Sequence, residues 1–186
     1  MSLTSLGFLV ALCTANTDPL TMASEILVES GGHAYAIHDN TSGRSYLPAS
    51  YDAAVVLAEQ LLAQGHLIDV GLGQIDSGNF ASLHLDVRTA LLPCDNLWAA
   101  DLVLHRAWCD LLIDDGPAIA DHPMAVIWQV PGIYHSGHRI DPVYERAVLA
   151  QAAGAQAQKL AAIARAARAR GVHAIVPQRP CHRKGW

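Results

Sequence analysis

Apolar positions recur at helical spacing along most of this chain. Met22, Ala23, Ile26 and Leu27 form one stripe, spaced three to four residues apart as one face of an α-helix requires. Asp18-Pro19 ahead of it supplies an N-cap acceptor and a proline at the first helical position, and Gly31-Gly32 ends it. Ser50 opens a second helix with Ala54, Leu57, Ala58 and Leu61 on one face, closed by Gly65. Asp95 or Asn96 opens a third, carrying Leu97, Ala100, Leu104, Trp108 and Leu111 in register. Asp141-Pro142 repeats the cap-and-proline signature and starts a long alanine-rich helix ending near Gly171, with Gly154 a candidate interruption.

Between these stripes the pattern breaks. His38 to Pro48 is polar and turn-rich and reads as a loop. Residues 66 to 80 (HLIDVGLGQIDSGNF) are too rich in glycine for a stable helix and read as an irregular loop or a short strand pair. A short helix is expected from Met124 to Gln129, broken by Pro131-Gly132. Leu6 to Cys13 (LGFLVALC) has two readings, the first helix of the domain or a short export-signal core. No Lys or Arg precedes it, as an export signal requires. Pro177 to Trp186 combines two prolines with a basic cluster and reads as a flexible tail.

Composition narrows the class. A chain of 186 residues with 52% hydrophobic and 16% charged residues can bury a core as one globular domain and is not disordered. Alanine and leucine dominate while aromatics are only 6%, which favours helix over strand. A net charge of −5 gives no overall reason to bind nucleic acid or an anionic membrane. The basic residues between Lys159 and Lys184 are the local exception, suited to an acidic partner but more simply a solvated face and tail. No stretch is apolar for the roughly 20 residues that span a bilayer. Cys13, Cys94, Cys109 and Cys181 permit up to two disulfides, and no pair has the C-x-x-C spacing of a zinc or redox site.

Glu29 is the first candidate for chemistry. It lies at the edge of the Met22/Ile26 stripe, in the last helical turn before the glycines. There it faces the negative end of the helix dipole and is partly desolvated, and both effects disfavour the ionised carboxylate, as a general acid requires. A boundary glutamate on a solvated face fits the same spacing, and Glu25, one turn earlier, is read that way.

Four segments carry a family resemblance. Val28-Glu29-Ser30-Gly31-Gly32 with Ala34-Tyr35-Ala36-Ile37, Gly71-Leu72-Gly73-Gln74-Ile75 with Ser77 and Asn79, Pro93-Cys94-x-Asn96-Leu97-x-Ala99, and Tyr134-His135-Ser136-Gly137 follow one another in the chain. In that order they resemble the E-S-G-x-x-P-Y-A-I, G-L-G-Q-I-N-S-x-N, P-C-x-N-L-x-A and Y-N-x-G motifs of the lysozyme-like lytic transglycosylases. The subfamily accompanying type IV secretion and conjugation machines is the most similar, having a helical insertion where this chain has Ser50 to Gly65. The resemblance covers roughly residues 8 to 150. Three departures stand out: His33-Ala34 ahead of the tyrosine, Asp76 for asparagine, and His135 for the asparagine of Y-N-x-G.

The resemblance implies a mainly α, lysozyme-like fold with a small irregular or β segment around the G-L-G-Q loop. It implies a catalytic domain over residues 1–150 and a C-terminal helical extension and basic tail over 151–186. It implies that Glu29 protonates the glycosidic oxygen of peptidoglycan and then deprotonates the sugar's 6-hydroxyl, leaving a 1,6-anhydromuramic end. Ser30 would support the glutamate, Gly71, Leu72, Gly73 and Gln74 would form a glycan-binding wall, and Tyr134 would bring its phenol near the acid. Periplasmic peptidoglycan would be the substrate and a secretion or conjugation apparatus the partner, with no cofactor. Cysteines at both family positions imply a Cys13–Cys94 disulfide, with Cys94–Cys109 the alternative.

Two rival readings remain. Asp39, Asp69 or Asp76 beside Glu29 would permit hydrolysis by two carboxylates, whereas Asp95 and Asp101 are read as cap and surface residues. The altered positions 76 and 135 would suit a non-catalytic wall-binding factor of the same fold. Ten histidines raise a metal site, with His135-x-x-His138 and His33/His38 the tightest groups, but no H-E-x-x-H and no third ligand accompanies them, and no metal is expected.

Overall fold

Serine and aspartate caps set most helix starts. Ser2, Asp18, Ser50, Asp86 and Asp141 each accept a hydrogen bond from a backbone amide in the first turn that follows. The computed structural model describes residues 1–121, 129–137, 141–176 and 178–181. In chain order it contains α1 (Leu3–Cys13), α2 (Pro19–Glu29), β1 (Ile37–Asp39), β2 (Arg44–Tyr46), α3 (Tyr51–Ala63), β3 (Ile68–Val70) and β4 (Ile75–Asp76). A 3-10 turn (Ser77–Asn79) leads to α4 (Val87–Ala90), α5 (Pro93–Asp121), α6 (Gln129–Ser136), α7 (Pro142–Ala153) and α8 (Ala155–Ala169). The molecule is mainly helical with one small antiparallel sheet, ordered β2-β1-β3-β4, the architecture expected of a lysozyme-like fold.

The stripes read from the sequence are the core. Met22, Ala23 and Ile26 of α2, Ala54 and Ala58 of α3, and Leu97, Ala100, Leu104 and Leu111 of α5 are all buried in one cluster. The Leu6–Cys13 segment is helical, and its Leu6, Val10 and Ala11 belong to that cluster. α8 packs on α1 and α2, burying Ala157, Leu160, Ala161, Ala164 and Ala167. At Gly7 the approach is so close that a Cβ would stand 2.7 Å from Ile163 Cγ2. No helix among the described residues is long and apolar enough to cross a membrane.

Several expectations need correction. His38–Pro48 is not merely a loop, because β1 and β2 pair across it. Asp39 organises that turn, its carboxylate accepting from Thr41 N (3.0 Å), Ser42 N (3.3 Å) and Ser42 Oγ (2.5 Å), the aspartate turn chemistry that a count of polar residues overlooks. The long helix expected from Asp141 is two helices, with Gly154 between them. The expected break at Pro131-Gly132 does not occur, because Gln129 to Ser136 is one continuous helix that includes both residues. Met124 to Trp128 lie outside the described residues.

Asp101 is not a surface residue. It is buried, and its carboxylate accepts from Ala15 N, Asn16 N, Asn16 Nδ2 and Thr17 N at 2.8–3.1 Å. It thereby fixes the link from α1 to α2, since a buried carboxylate needs that full set of donors.

The tail is also tied down, up to residue 181. Ile175 N donates to Leu12 O, Gln178 Nε2 to Ala15 O, and Arg179 N to Asn16 Oδ1. Cys181 is bonded to Cys109, a pairing not anticipated, while Cys13–Cys94 forms as the resemblance implied, its Cα atoms 5.3 Å apart. Part of the basic surface is used internally: Arg165 pairs with Asp18 and Arg168 donates to Thr14 O.

Candidate active site

Glu29 is the last residue of α2 and is half-buried. Gly31 and Gly32, at φ of +61° and +81°, turn the chain away in the left-handed region that side chains disfavour. The glutamate opens into a cleft of about 390 Å³ lined also by His38, Asn40, Ser45, Asp69, Gln74, Ile75, Asp76, Asn79, Val103, Tyr134 and His135. One wall is helical and the other is the sheet.

The G-L-G-Q loop is held by internal contacts. Asn96, buried in α5, accepts from Gly73 N at 2.8 Å and donates through Nδ2 to Val70 O and Ala90 O, both at 2.8 Å. Ser30 Oγ donates to Leu72 O at 2.8 Å, tying the end of α2 to the same loop. The glycines are explained by these partners. At Gly71, with φ of +82°, a Cβ would fall 2.2 Å from Asn96 Nδ2, and at Gly73 it would fall 2.7 Å from Ala100 Cβ. The close approach is therefore to the protein itself. Leu72 is fully buried, so its side chain belongs to the core. Gln74 lines the cleft while its Nε2 donates to Gly71 O (2.8 Å) and Ala36 O (3.2 Å).

Tyr134 lines the cleft too, but its hydroxyl donates to Gly73 O at 2.5 Å and so clamps the loop. The phenol that touches Glu29 is Tyr144, from the first turn of α7. Its hydroxyl lies against Glu29 Oε1 and also 2.5 Å from Glu25 Oε2. The aspartate cap positions it, since Asp141 Oδ1 accepts from Tyr144 N at 3.1 Å. His135 stacks on the Tyr144 ring, centroids 4.3 Å apart and planes 10° from parallel. His135 Nδ1 also meets Asp141 Oδ2 at 2.9 Å. The histidine that replaces the family asparagine thus braces the tyrosine beside the acid.

Burial dominates the acidity of Glu29, pushing it up to about 7 against the opposing hydrogen bond from Tyr144 and the charge of His135, with Asp69 adding to the rise. Burial likewise lifts Glu25 to about 8. Glu25 is not the solvated boundary residue expected: it is only 1% exposed. Burial and the two carboxyls keep the Tyr144 phenol protonated.

Of the three aspartates considered as second carboxylates, Asp69 and Asp76 line the cleft and Asp39 does not. Burial would raise Asp39, but bonds from Ser42, His66 and Thr41 outweigh it and hold the carboxyl at about 2. Asp69 pairs across the sheet with Asp76, and burial pushes it up to about 6. Asp76, where the family has asparagine, caps the 3-10 turn by accepting from Gly78 N. Asp95, in the first turn of α5, is not among the cleft residues.

His33 is not among the cleft residues either, His38 bonds Ser45 Oγ at 2.9 Å, and His138 lies outside the described residues. Among the described residues the one group with ligand-like spacing is His105, Cys109 and Cys181, and its two sulfurs are joined in a disulfide.

Sequence reasoning missed Tyr144 and Glu25. Glu25 had a signal, because two glutamates four residues apart on one helix face repel unless one is neutralised. Tyr144 had only the Asp141-Pro142 cap, which fixes a helix start but not what it meets.

This chain is similar to proteins named VirB1. It is 38% identical to one from Rhizobium radiobacter over 128 residues, 69% of this chain and 51% of the relative. It is 38% identical to one from Agrobacterium fabrum over 88 residues, 47% of this chain and 36% of the relative. A type IV secretion system protein VirB1 from Brucella abortus is 31% identical over 96 residues, 52% of this chain and 40% of the relative. The chain thus spans about half or less of the length of the relatives it matches. No family model and no solved structure matches it.

Proposed function

Because the chain is a homologue of the VirB1 proteins of type IV secretion, we propose that it is a lytic transglycosylase that opens peptidoglycan for such an apparatus. The observation that carries this reading is the site of Glu29: a half-buried carboxyl in an open cleft, lifted to about 7 and bonded to a tyrosine. A carboxyl of that acidity is substantially protonated near neutral pH, as a general acid must be.

Glu29 donates its proton to the glycosidic oxygen as the bond to the anomeric carbon breaks. The carboxylate then takes the proton of the 6-hydroxyl, whose oxygen bonds to the anomeric carbon. The product is a 1,6-anhydro end, and no water is consumed. Ser30, Gly71, Leu72, Gly73 and Gln74 supply the loop that walls the glycan site, and Tyr134 holds that loop. Residues 1–150 supply the catalytic domain and 151–186 the helical extension and tail. The substrate places the work in the periplasm.

Asp69 favours one second reading, a hydrolytic muramidase, because it is a cleft carboxyl whose charge reaches Glu29. Digestion of purified sacculi followed by mass spectrometry separates the two. The transglycosylase gives fragments lighter by one water, and Glu29→Gln lowers their yield at least about 10²-fold, the lower range of general acid–base catalysis. Wild-type turnover by Glu29→Gln would overturn both readings. Reducing-end products lost with Asp69→Asn would leave the muramidase.

A further inference from the structure

Glu25 is a buried carboxyl that the reaction above does not use. It lies one turn before Glu29 on α2, and its Oε2 is 2.5 Å from the Tyr144 hydroxyl. Its Oε1 is buried and has no hydrogen-bond partner among the described residues. An ionised carboxylate so placed would have one hydrogen bond and an unpaired charge out of water, an arrangement that strongly disfavours the ionised form.

The phenol settles how the protons are arranged. Tyr144 Oη contacts both carboxyls but carries a single hydrogen, so it donates to only one. The other contact is a hydrogen bond only if that carboxyl carries a proton and donates. Glu25 is the more buried of the two, and Glu29 is the one that opens into the cleft.

We infer that Glu25 is a positioning residue: as a neutral acid its Oε2–H donates to Tyr144, which commits the phenol's one proton to Glu29. The chain of donors then runs one way, from Glu25 through Tyr144 to Glu29. Each bond polarises the next, so the phenol is a stronger donor than an unassisted one. The Glu29 carboxylate left after proton donation is stabilised by it. The inference rests on Glu29 as the acid proposed above.

The groups around the pair fit this direction. Glu29 lies on the same helix, while α6 brings His135 and Tyr134, α7 brings Tyr144 and Asp141, and β3 brings Asp69. α8, packed on α2, buries only alanine and leucine there. No cation among these contacts Glu25, and burial, not a charged neighbour, is the largest cause of its raised acidity.

The test compares the full chain with Glu25→Gln, Glu25→Met and Glu29→Gln. Gln keeps a neutral donor at position 25, and Met keeps the volume without one. In infrared spectra at pH 6, wild type minus Glu25→Gln shows a protonated-carboxyl band, and its absence overturns the inference. On sacculi, Glu25→Met lowers kcat about tenfold with KM unchanged and moves the alkaline limb of the rate upwards, because the Glu29 carboxylate has lost support. Glu25→Gln restores kcat to within about threefold of wild type and leaves that limb in place.

If position 25 were ionised, removing its charge would lower the limb, and that shift would overturn the inference. So would a Met variant with wild-type kcat and pH profile, or a Gln variant as slow as Met. Should Met fail to fold, the infrared band and the Gln variant decide. Full activity in Glu29→Gln would sink the acid assignment alone, since the band still reads the state of Glu25.

Discussion

At the scale of single residues, acidity links the site to stability. Glu25 and Glu29 have an ordinary carboxyl value of 4.5 when unfolded and about 8 and about 7 when folded. The folded chain therefore holds protons that the unfolded chain releases, and stability declines as pH rises from about 4.5 through those folded values. Asp39 acts in the opposite direction, since its value of about 2 contributes stability that is lost only as pH falls from 3.8 through it. Melting temperatures measured from pH 4.5 to 8.5 should fall more steeply with pH in wild type than in Glu25→Gln, which has no proton to release at that position. Equal slopes would mean that Glu25 titrates alike in both states. The same values limit catalysis, because the acid form of Glu29 is lost as pH rises through about 7.

At the scale of elements, helices were legible and their meetings were not. Stripes and caps placed α2, α3, α5 and α7 because burial and capping leave local marks. In the sequence the β1–β2 hairpin reads as a loop, because three-residue strands carry too little alternation to show and its aspartate turn resembles any polar loop. The candidate site divides likewise. Glu29 and the G-L-G-Q loop are local words in the sequence, but Tyr144 reaches Glu29 across 115 positions, and only packing reveals that pair. The glycine words were legible as words while their cause lay elsewhere, in Asn96. Gly71→Ala tests that cause. The added Cβ would meet Asn96 at a positive φ, so a loss of about 2–4 kcal/mol in denaturant unfolding is expected. A loss under about 0.5 kcal/mol would show that the loop yields without its lock.

At the scale of the whole molecule, the segment from Ile175 to Cys181 is fastened to the end of α1, to the link between α1 and α2 and to α5. The Cys109–Cys181 bridge closes a loop of 72 residues, and the segment before it hydrogen-bonds to residues 12–16. The chain-entropy relation puts such a bridge at up to about 4 kcal/mol. Removing residues 172–186 should therefore lower the melting temperature by several degrees yet leave sacculus cleavage in place, because among the described residues none that lines the cleft lies beyond His135. Loss of cleavage at a temperature where the truncated chain is folded would assign the tail a share in the cleft.

The contact between Tyr144 and Glu29 also sets an order in time. Glu29 leaves the ribosome early, but the phenol that holds it comes 115 residues later, and α8, which packs over α2, comes later still. Until those helices arrive the carboxyl has neither its phenol nor the cover that α8 gives its helix, and in a chain not yet folded it titrates as an ordinary glutamate, ionised at neutral pH. A chain interrupted between Gly137 and Tyr144 thus carries every motif word and still lacks the phenol that holds Glu29. The polypeptide becomes chemically competent only once α7 and α8 have been made.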